Sequence, residues 1–325
     1  THSCQNTGDE TGIGIRISCV NKIVIGTRKS ALALWQTHHI EALLKVAYPA
    51  LITDIITFTT RGDVILDKAL PAIGGKGIFT ETLENALRAG EIDYAVHSLK
   101  DMPTDESAGL TIGAITQRAS AHDVLISKGD LTLDQLPHGA TIGTSSRRRA
   151  AQLCAYRPDL VCMDIRGNVN TRIEKALASD SPYHAIVLAG AGIDRLGLSG
   201  MVAQTISFDI MLPAPGQGAL AVQCNHDAHH LAQLRPIAHA DTTLCVTAER
   251  VFLSALGGGC SLPVGAYATI KEGTLHLRGR VCALDGGQVI DVVGECLANT
   301  ADATRLAGDL AHQAITNGAK GLGIF

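Results

Sequence analysis

The hydrophobic and polar positions of the chain repeat one unit, which is a short apolar β-branched run, a turn with a basic residue, and an amphipathic helix. The first copy has a strand at residues 23–25, the turn GTRKS, and the helix ALALWQTHHIEALLKVA, which Ser30 can cap. One face of this helix carries Leu32, Trp35, His39, Leu43 and Val46. Such alternation of strands and helices predicts parallel sheets with crossover helices.

Further copies of the unit follow, and the pattern restarts near residue 122, so we predict two doubly wound halves. The stretch MLPAPGQG (211–218) has two prolines and two glycines, which indicates a crossing or hinge between them. The predicted strands are 52–57, 92–96, 110–115, 124–126, 141–142, 160–163 and 185–188, and the predicted helices are 80–89, 150–156 and 169–179.

Beyond the hinge, a helix at 241–256, strand-and-turn alternation and a closing helix at 305–316 predict a third, smaller domain. The fold class is therefore α/β, with two doubly wound parallel or mixed-sheet domains of periplasmic-binding-protein-like type and an α+β C-terminal domain. We expect the following division: a loose tail at 1–21, a discontinuous first domain at 22–117 plus 212–236, a second at 118–211, and a third at 237–325.

The composition excludes several classes of function. The net charge is −4 and aromatic residues make up 3% of the chain, which argues against a nucleic-acid binder. The longest apolar runs, such as AIVLAGAG (185–192), are far shorter than a membrane span, so we expect no membrane partner.

The nine cysteines have no CxxC spacing, so neither a disulfide framework nor a structural zinc site is indicated. We predict mostly buried, reduced thiols, and the bacterial cytosol and the plastid stroma stay open as compartments. The histidines of NHDAHH (225–230) lack a metal-binding signature, and they are interpreted as the polar start of a helix.

Basic and hydroxyl side chains occupy the turns that follow the predicted strands. In open parallel sheets these turns meet at one edge, so the residues should line one anion-binding cleft between the two halves. The residues are Arg28 and Ser30, Lys100 and Asp101, Ser145 and Ser146 with the run Arg147–Arg149, Arg166 with Arg172, and Arg195. Because the chain has no GxxxxGK[ST] and its one early GxG lies before the first strand, carboxylates are favoured over phosphates as the ligand.

Two residues depart from this pattern. Asp101 is a carboxylate among cations, and it is either an ordinary turn residue or an ionised group that stabilises a cationic intermediate or moves protons. Cys260 lies in GGGCSLP, and it is either a small buried hydrophobe or an exposed, reactive or modified thiol.

A set of motifs, in order from about residue 22 to the end, resembles the porphobilinogen deaminase family, also called hydroxymethylbilane synthases. The motifs are TRKSALALWQ (27–36), TRGD (60–63), GGKGIFT (74–80), AVHSLKDMPT (95–104), GTSSRRRAAQL (143–153), RGNVNTR (166–172), LAGAGIDRLG (188–197), LPAPGQGAL (212–220) and ERVFLSALGGGCSLPVG (249–265). Each is weak alone, and together they are specific.

The resemblance implies a transferase that joins four porphobilinogen molecules into the linear tetrapyrrole hydroxymethylbilane and releases ammonia at each step. It implies a dipyrromethane cofactor on Cys260 through a thioether, and no metal. It also implies a monomer that passes its product to a downstream uroporphyrinogen-forming enzyme.

The resemblance also implies roles for individual residues. Asp101 and Lys100 would be catalytic, with Asp101 assisting loss of ammonia and stabilising an azafulvene-like cation. The cofactor would be held by Cys260, Ser30, Lys100, Asp101, Ser146, Arg148 and Arg149. The substrate would be bound by Arg28, Lys76, Arg166, Arg172 and Arg195. Ala31, Arg147 and Pro215 depart from the family pattern, which leaves the stiffness of the hinge and the part played by Arg147 open.

The alternative from another class is a non-catalytic, two-lobed protein that binds anions. This reading accounts for the arginines but gives no role to Asp101 or to the glycine-framed Cys260. Bound pyrrole distinguishes the two, because a dipyrromethane reacts with Ehrlich's aldehyde reagent.

Overall fold

The computed structural model describes residues 22–60, 62, 80–105, 107–258 and 262–322. The predicted tail at 1–21 lies outside these ranges. The strands are β1 Lys22–Arg28, β2 Ile52–Phe58, β3 Tyr94–Ser98, β4 Leu110–Ile115, β5 Asp123–Ser127, β6 Thr141–Gly143, β7 Val161–Met163, β8 Ala185–Ala189, β9 Gln204–Thr205, β10 Leu220–Asn225, β11 Val264–Lys271, β12 Thr274–Cys282 and β13 Val289–Leu297.

The α-helices begin and end close to the predicted boundaries in most cases. They are α1 Ala31–Ala47, α2 Glu81–Ala89, α3 Arg147–Tyr156, α4 Val169–Leu177, α5 Gly190–Arg195, α6 Ala228–Leu234, α7 Ala240–Ala255 and α8 Thr300–Thr316. Three predictions were wrong: α3 already begins at the arginine run, α8 begins at Thr300 and not at residue 305, and Arg195 ends a short helix and does not lie in a strand-end turn. None of the helices in the described ranges is both long and apolar enough to cross a membrane.

The strands form two five-stranded sheets and one three-stranded sheet, which confirms the predicted fold class. The first sheet has the order β2-β1-β3-β10-β4 and the second the order β7-β6-β8-β5-β9. Both sheets are mixed, because β10 runs antiparallel to β3 and β4, and β5 runs antiparallel to β8 and β9. The third sheet is the antiparallel meander β11-β12-β13, and α7 and α8 pack against it. The exact domain boundaries stay a prediction.

The buried face of α1 differs from the apolar face that the pattern indicated. Its buried residues are Gln36, Thr37, Ile40 and Leu44, and Ser30 caps the helix by accepting a hydrogen bond from the amide of Ala33. Trp35, on the predicted face, is 38% exposed and stacks on His39. This face is turned toward the second lobe, because Leu32 lies close to Gly192 of α5 and the Arg195 guanidinium lies over the Trp35 ring.

The chain passes from the first sheet to the second after β4 and returns before β10, so two segments cross between the lobes. Their backbones are hydrogen bonded, with the amide of Ala119 donating to the carbonyl of Gly218 over 3.2 Å. The fully buried Glu249 of α7 accepts from Arg118 in the outgoing segment, from the amide of Gly216 in the returning segment, and from the amide of Ala268 in β11. One carboxylate therefore ties the C-terminal domain to both crossing segments.

Gly218 has no room for a side chain at this crossing. Its φ is +91°, and a Cβ there would lie 2.6 Å from the carbonyl oxygen of Ala119. We expect Gly218→Ala to lower the free energy of unfolding by about 1–3 kcal/mol, because a strained backbone and a clash with backbone atoms combine. Urea denaturation measures the loss.

Gly308→Ala is the matched control, since Gly308 lies within α8 and a Cβ there meets nothing within 4 Å. That substitution should raise the free energy of unfolding by about 0.5–1 kcal/mol, because alanine favours the helix. Equal effects at the two positions would contradict the close approach at the crossing.

Candidate active site

The first lobe presents Lys100 and Asp101 directly after β3. The chain leaves the strand in a single 3₁₀ turn, Leu99–Asp101, which is anchored by the fully buried Leu99 and by the Leu99 amide donating to the carbonyl of Ala219. This anchoring leaves Asp101 exposed and Lys100 half-buried at the surface between the lobes. The prediction that both residues follow a strand end is therefore confirmed.

The Lys100 ammonium donates to the side-chain oxygen of Gln217 over 3.3 Å. Burial lowers the pKa of Lys100 to about 8, the neighbouring Arg149 and Arg148 lower it too, and Asp101 and Asp123 act in the opposite direction. Lys100 thus lies within electrostatic range of the arginine run of the second lobe. Its charge can change near neutral pH, which is unusual for a lysine.

The arginine run forms the first turn of α3, and its three members differ in their surroundings. Ser146 caps the helix by accepting from the amide of Arg149, and Arg147 is exposed. Arg148 and Arg149 are 5% and 7% exposed, and both contact the carboxylate of Asp123. The remaining contacts go to backbone carbonyls, with Arg148 donating to Leu212 and Arg149 to Val187.

The buried Asp123 and Gln217 are the residues that the sequence reasoning missed. Burial alone would raise the pKa of Asp123, but Arg148 and Arg149, each 2.8 Å away, hold it below its usual range. The Gln217 amide nitrogen donates to Asp123 over 3.0 Å and to the carbonyl of Ala121 over 2.7 Å. Both amide hydrogens are used there, so the amide oxygen must face Lys100.

A continuous polar network therefore runs from Lys100 through Gln217 and Asp123 to the two buried arginines. The sequence contains one indication of the role of Asp123, which is that this acidic residue stands at the start of an apolar strand, in HDVLIS (122–127). Gln217 was visible only as part of the hinge motif.

Arg166 and Arg172 belong to the second lobe, after β7 and in α4. The guanidinium of Arg172 donates to the carbonyl of Gly167 over 2.7 Å. Burial lowers the pKa of Arg172, and the charges of Arg149, Arg166 and Arg28 lower it further, while Asp101 opposes them. Residues from four strand ends of two lobes are thus close enough to influence one charge, as the strand-end rule predicted.

Arg195 reaches the crossing segments from the end of α5. Its guanidinium donates to the carbonyl of Gly218 over 2.7 Å and lies 5.7 Å from the centre of the Trp35 ring. Burial lowers the pKa of Arg195, and Asp194 partly offsets this. A small cavity beside it is lined by residues of both lobes, among them Gln36, Lys100 and Gly192.

Lys76 and Cys260 lie outside the described residues, but the segment that leads to Cys260 is described. Helix α7 ends at Ala255, and Gly257 and Gly258 take left-handed conformations that turn the chain. A Cβ on Gly258 would lie 2.9 Å from the hydroxyl of Thr104. The guanidinium of Arg250 also donates to the carbonyl of Pro103, in the same loop.

The donor set suits a ligand that carries several carboxylates. Six cations, Arg28, Lys100, Arg148, Arg149, Arg166 and Arg172, lie within electrostatic range of one another and of the carboxylates Asp101 and Asp123, and Arg195 lines a cavity together with Lys100. Partial burial of like charges disfavours their charged forms, as the lowered pKa values of Lys100 and Arg172 indicate. An anionic ligand would offset this cost, and a dipyrromethane with its acetate and propionate groups is such a ligand. The part of the chain that the structure describes holds no cluster of three or more metal-ligating side chains.

Comparisons with known proteins agree with a dipyrromethane as the ligand. The family model described as porphobilinogen deaminase, dipyromethane cofactor binding domain, matches residues 23–233, and the model of the C-terminal domain of porphobilinogen deaminase matches residues 243–315. The porphobilinogen deaminase of Desulforamulus reducens is 46% identical over 301 residues, which cover 92% of this chain and 96% of that protein. That of Roseiflexus castenholzii is 44% identical over 303 residues, 93% of this chain and 98% of the other.

Among solved structures, the methionine binding protein MetQ shows 15% identity and a TM-score of 0.41, over 67% of this chain and 90% of that one. A likeness this loose says nothing about function. The two family models cover both lobes and most of the C-terminal domain, and the relatives match over nearly their whole length. The chain belongs to the porphobilinogen deaminase family.

Proposed function

We propose that this protein holds its dipyrromethane through a thioether to Cys260 and elongates it beside Asp101. Membership of the family makes the chain a transferase of tetrapyrrole biosynthesis that polymerises porphobilinogen and uses a dipyrromethane cofactor. The attachment residue and the roles of individual side chains are the proposal. When bound, the dipyrromethane supplies the pyrrole carbon to which the first substrate unit is joined.

One observation carries the proposal. The chain that leads to Cys260 packs against the loop that follows Asp101, since a Cβ on Gly258 would meet Thr104 at 2.9 Å. Gly258 is two residues before Cys260, and Thr104 is three residues after Asp101. An extended residue spans roughly 3.3–3.6 Å. The two-residue interval from Gly258 to Cys260 and the three-residue interval from Asp101 to Thr104 are therefore both short compared with a bound chain of pyrroles.

The carboxylates of the cofactor would be held by Lys100, Ser30, Ser146 and the two arginines of α3. Of these, Arg148 and Arg149 already donate to Asp123 and to backbone carbonyls. They would therefore bind a ligand through the N–H groups that these contacts do not use. Substrate carboxylates would meet the second group, Arg28, Lys76, Arg166, Arg172 and Arg195. Arginine suits both groups, because its planar fork binds a carboxylate through two hydrogen bonds.

Asp101 would supply the charge and proton chemistry. It is exposed toward the cleft surface, and its charge acts on Lys100, Arg172 and His97, whose pKa values it raises. As ammonia leaves the substrate a cationic centre forms, and the Asp101 carboxylate can stabilise it and then accept the proton that the coupled pyrrole carbon gives up. The cations hold the substrate in place, so the carboxylate acts on a fixed geometry.

The test of this function is a balance of substrate and ammonia. Purified protein given porphobilinogen should release one ammonia for each porphobilinogen consumed, and Asp101→Asn should bind porphobilinogen but release ammonia far more slowly. A parent protein that binds porphobilinogen without releasing ammonia would indicate a non-catalytic anion-binding protein.

The activity should fall on the alkaline side near the pKa of Lys100, which burial and Arg149 lower to about 8. The Lys100 ammonium is charged below that pH and neutral above it, so a carboxylate bound to it loses its partner as the pH rises through 8. We expect kcat/KM to decline with a midpoint close to that pKa.

Lys100→Arg supplies the control for this pH dependence, because a guanidinium stays charged up to a pH of about 12. The variant should move the alkaline limb upward by more than about one pH unit, even if its maximal rate is reduced. An alkaline limb at the same pH in both proteins would contradict the assignment to Lys100.

A further inference from the structure

Two cysteines lie side by side in the second lobe, outside the cleft. Cys154 is in the last turns of α3, and Cys162 is the middle residue of β7. The Cys162 sulfur lies 4.0 Å from the carbonyl oxygen of Ala150. In an α-helix that carbonyl is bonded to the amide of Cys154, so the sulfur of Cys162 lies beside the helical turn that ends at Cys154, and each thiol shifts the pKa of the other.

Both thiols are partly exposed, which separates them from the buried Cys224, Cys245 and Cys282. Neither belongs to the donor set of the cleft, and the proposed reaction has no step for either. A pair of accessible neighbouring thiols is the usual arrangement of a site that is oxidised reversibly, because one sulfur reacts and the other resolves the product.

The interaction between the thiols shifts their pKa values in opposite directions. The hydrogen bond from Cys162 lowers the pKa of Cys154 to about 7, although burial and Asp285 oppose it. The same hydrogen bond, together with burial, raises the pKa of Cys162. For comparison, burial raises the pKa of the partly exposed Cys296. Near neutral pH Cys154 is therefore roughly half thiolate, while Cys162 keeps its proton.

The C-terminal domain packs onto this pair. The turn between β12 and β13 contains Gly286, where a Cβ would lie 2.4 Å from the amide nitrogen of Ala155 and 2.7 Å from the carbonyl carbon of Cys154. The other end of the same helix carries Arg148 and Arg149. A covalent change at Cys154 thus acts on a helix that is fixed to the C-terminal domain at one end and to Asp123 at the other.

We propose that Cys154 and Cys162 are a dithiol site for two-electron oxidants such as hydrogen peroxide, and that its product is the Cys154–Cys162 disulfide. This inference does not depend on the proposed function.

The Cys154 thiolate attacks one peroxide oxygen, the O–O bond breaks, and the departing hydroxide takes a proton to become water, which leaves a sulfenic acid on Cys154. The Cys162 sulfur then attacks the Cys154 sulfur, the S–O bond breaks, and the hydroxide leaves with the Cys162 proton as a second water. Two thiols and one peroxide give one disulfide and two waters.

The sequence makes the product simple to detect. Trypsin does not cut between Arg157 and Pro158, so both cysteines are in one tryptic peptide, residues 150–166. The holoenzyme is treated with hydrogen peroxide, and its free thiols are then blocked with iodoacetamide before digestion. The disulfide form of this peptide carries no blocking group and is lighter by two hydrogens than the unblocked dithiol. Oxidation of Met163 adds an oxygen and is distinguished by its mass.

We expect this disulfide peptide in the parent, its loss on treatment with dithiothreitol, and its absence in Cys154→Ser and Cys162→Ser. Cys296→Ser should still form it. At pH 7 Cys154 should react with iodoacetamide about tenfold faster than Cys296 in the same protein, and Cys162→Ser should remove that advantage, because thiolate content sets the rate.

Two results would overturn the proposal, and both are read in the parent, so they do not depend on the variants folding. One is a peptide that still carries two blocking groups after oxidation has modified other cysteines. The other is a Cys154 that goes on to a sulfinic or sulfonic acid with no disulfide.

Discussion

Asp101→Asn should lower kcat by about 10²- to 10⁴-fold, which is the usual contribution of a positioned acid–base group. Asparagine keeps the shape of the side chain, but it can neither accept a proton nor offset a positive charge. Because Asp101 also raises the pKa of Lys100, its removal should move the alkaline limb of the activity to lower pH. The cations of the cleft are unchanged, so KM for porphobilinogen should change much less than kcat.

Initial rates of ammonia release over a range of porphobilinogen concentrations measure both constants. Asp130→Asn is the control, since Asp130 is an exposed carboxylate of the second lobe with a φ of +53°, which asparagine tolerates. An Asp101→Asn protein that keeps kcat within about threefold of the parent would remove Asp101 from the chemistry, since acid–base groups contribute far more than that.

Asp123→Ala should lower the free energy of unfolding by about 3–5 kcal/mol, because it leaves two buried guanidiniums without their carboxylate. Asp123 is fully buried and lies 2.8 Å from both Arg148 and Arg149, and it also accepts from Gln217. Its pKa is held below the ordinary carboxyl value. The stabilisation is therefore present above that ordinary value and is lost as the pH falls through the lowered, folded-state pKa.

Urea denaturation of the parent and the variant at neutral pH measures the loss. Asp209→Ala removes an exposed pair with Arg278 in the same chain, where the Asp209 side chain is 86% exposed, and should cost less than about 1 kcal/mol. If Asp123→Ala cost no more than Asp209→Ala, the buried ion network would not be a source of stability.

The parts of the site that could be predicted from the sequence are those that depend on where strands end. Lys100, Asp101 and Arg166 follow strands whose carboxyl ends meet at the cleft, and the capping roles of Ser30 and Ser146 follow from their position before a helix. These are short-range features, because a strand, its turn and the next helix are adjacent in the chain.

The parts that could not be predicted depend on distant partners. Arg148 and Arg149 looked like ligand donors, but Asp123 lies more than twenty residues before them and occupies both. Strand direction was also hidden, because the apolar runs of β5 and β10 look the same whether the strand is parallel or antiparallel. For α1, the apolar face marked by Trp35 meets the second lobe, and the pattern alone could not separate that contact from the core.

The most direct test of the covalent cofactor is the intact mass of the purified protein beside that of Cys260→Ser, with circular dichroism to show that both are folded. The parent should carry an adduct of two pyrrole units that the variant lacks. The parent for this test is made in cells that supply porphobilinogen. The account would be contradicted if this folded parent showed the bare polypeptide mass and gained no adduct from added porphobilinogen.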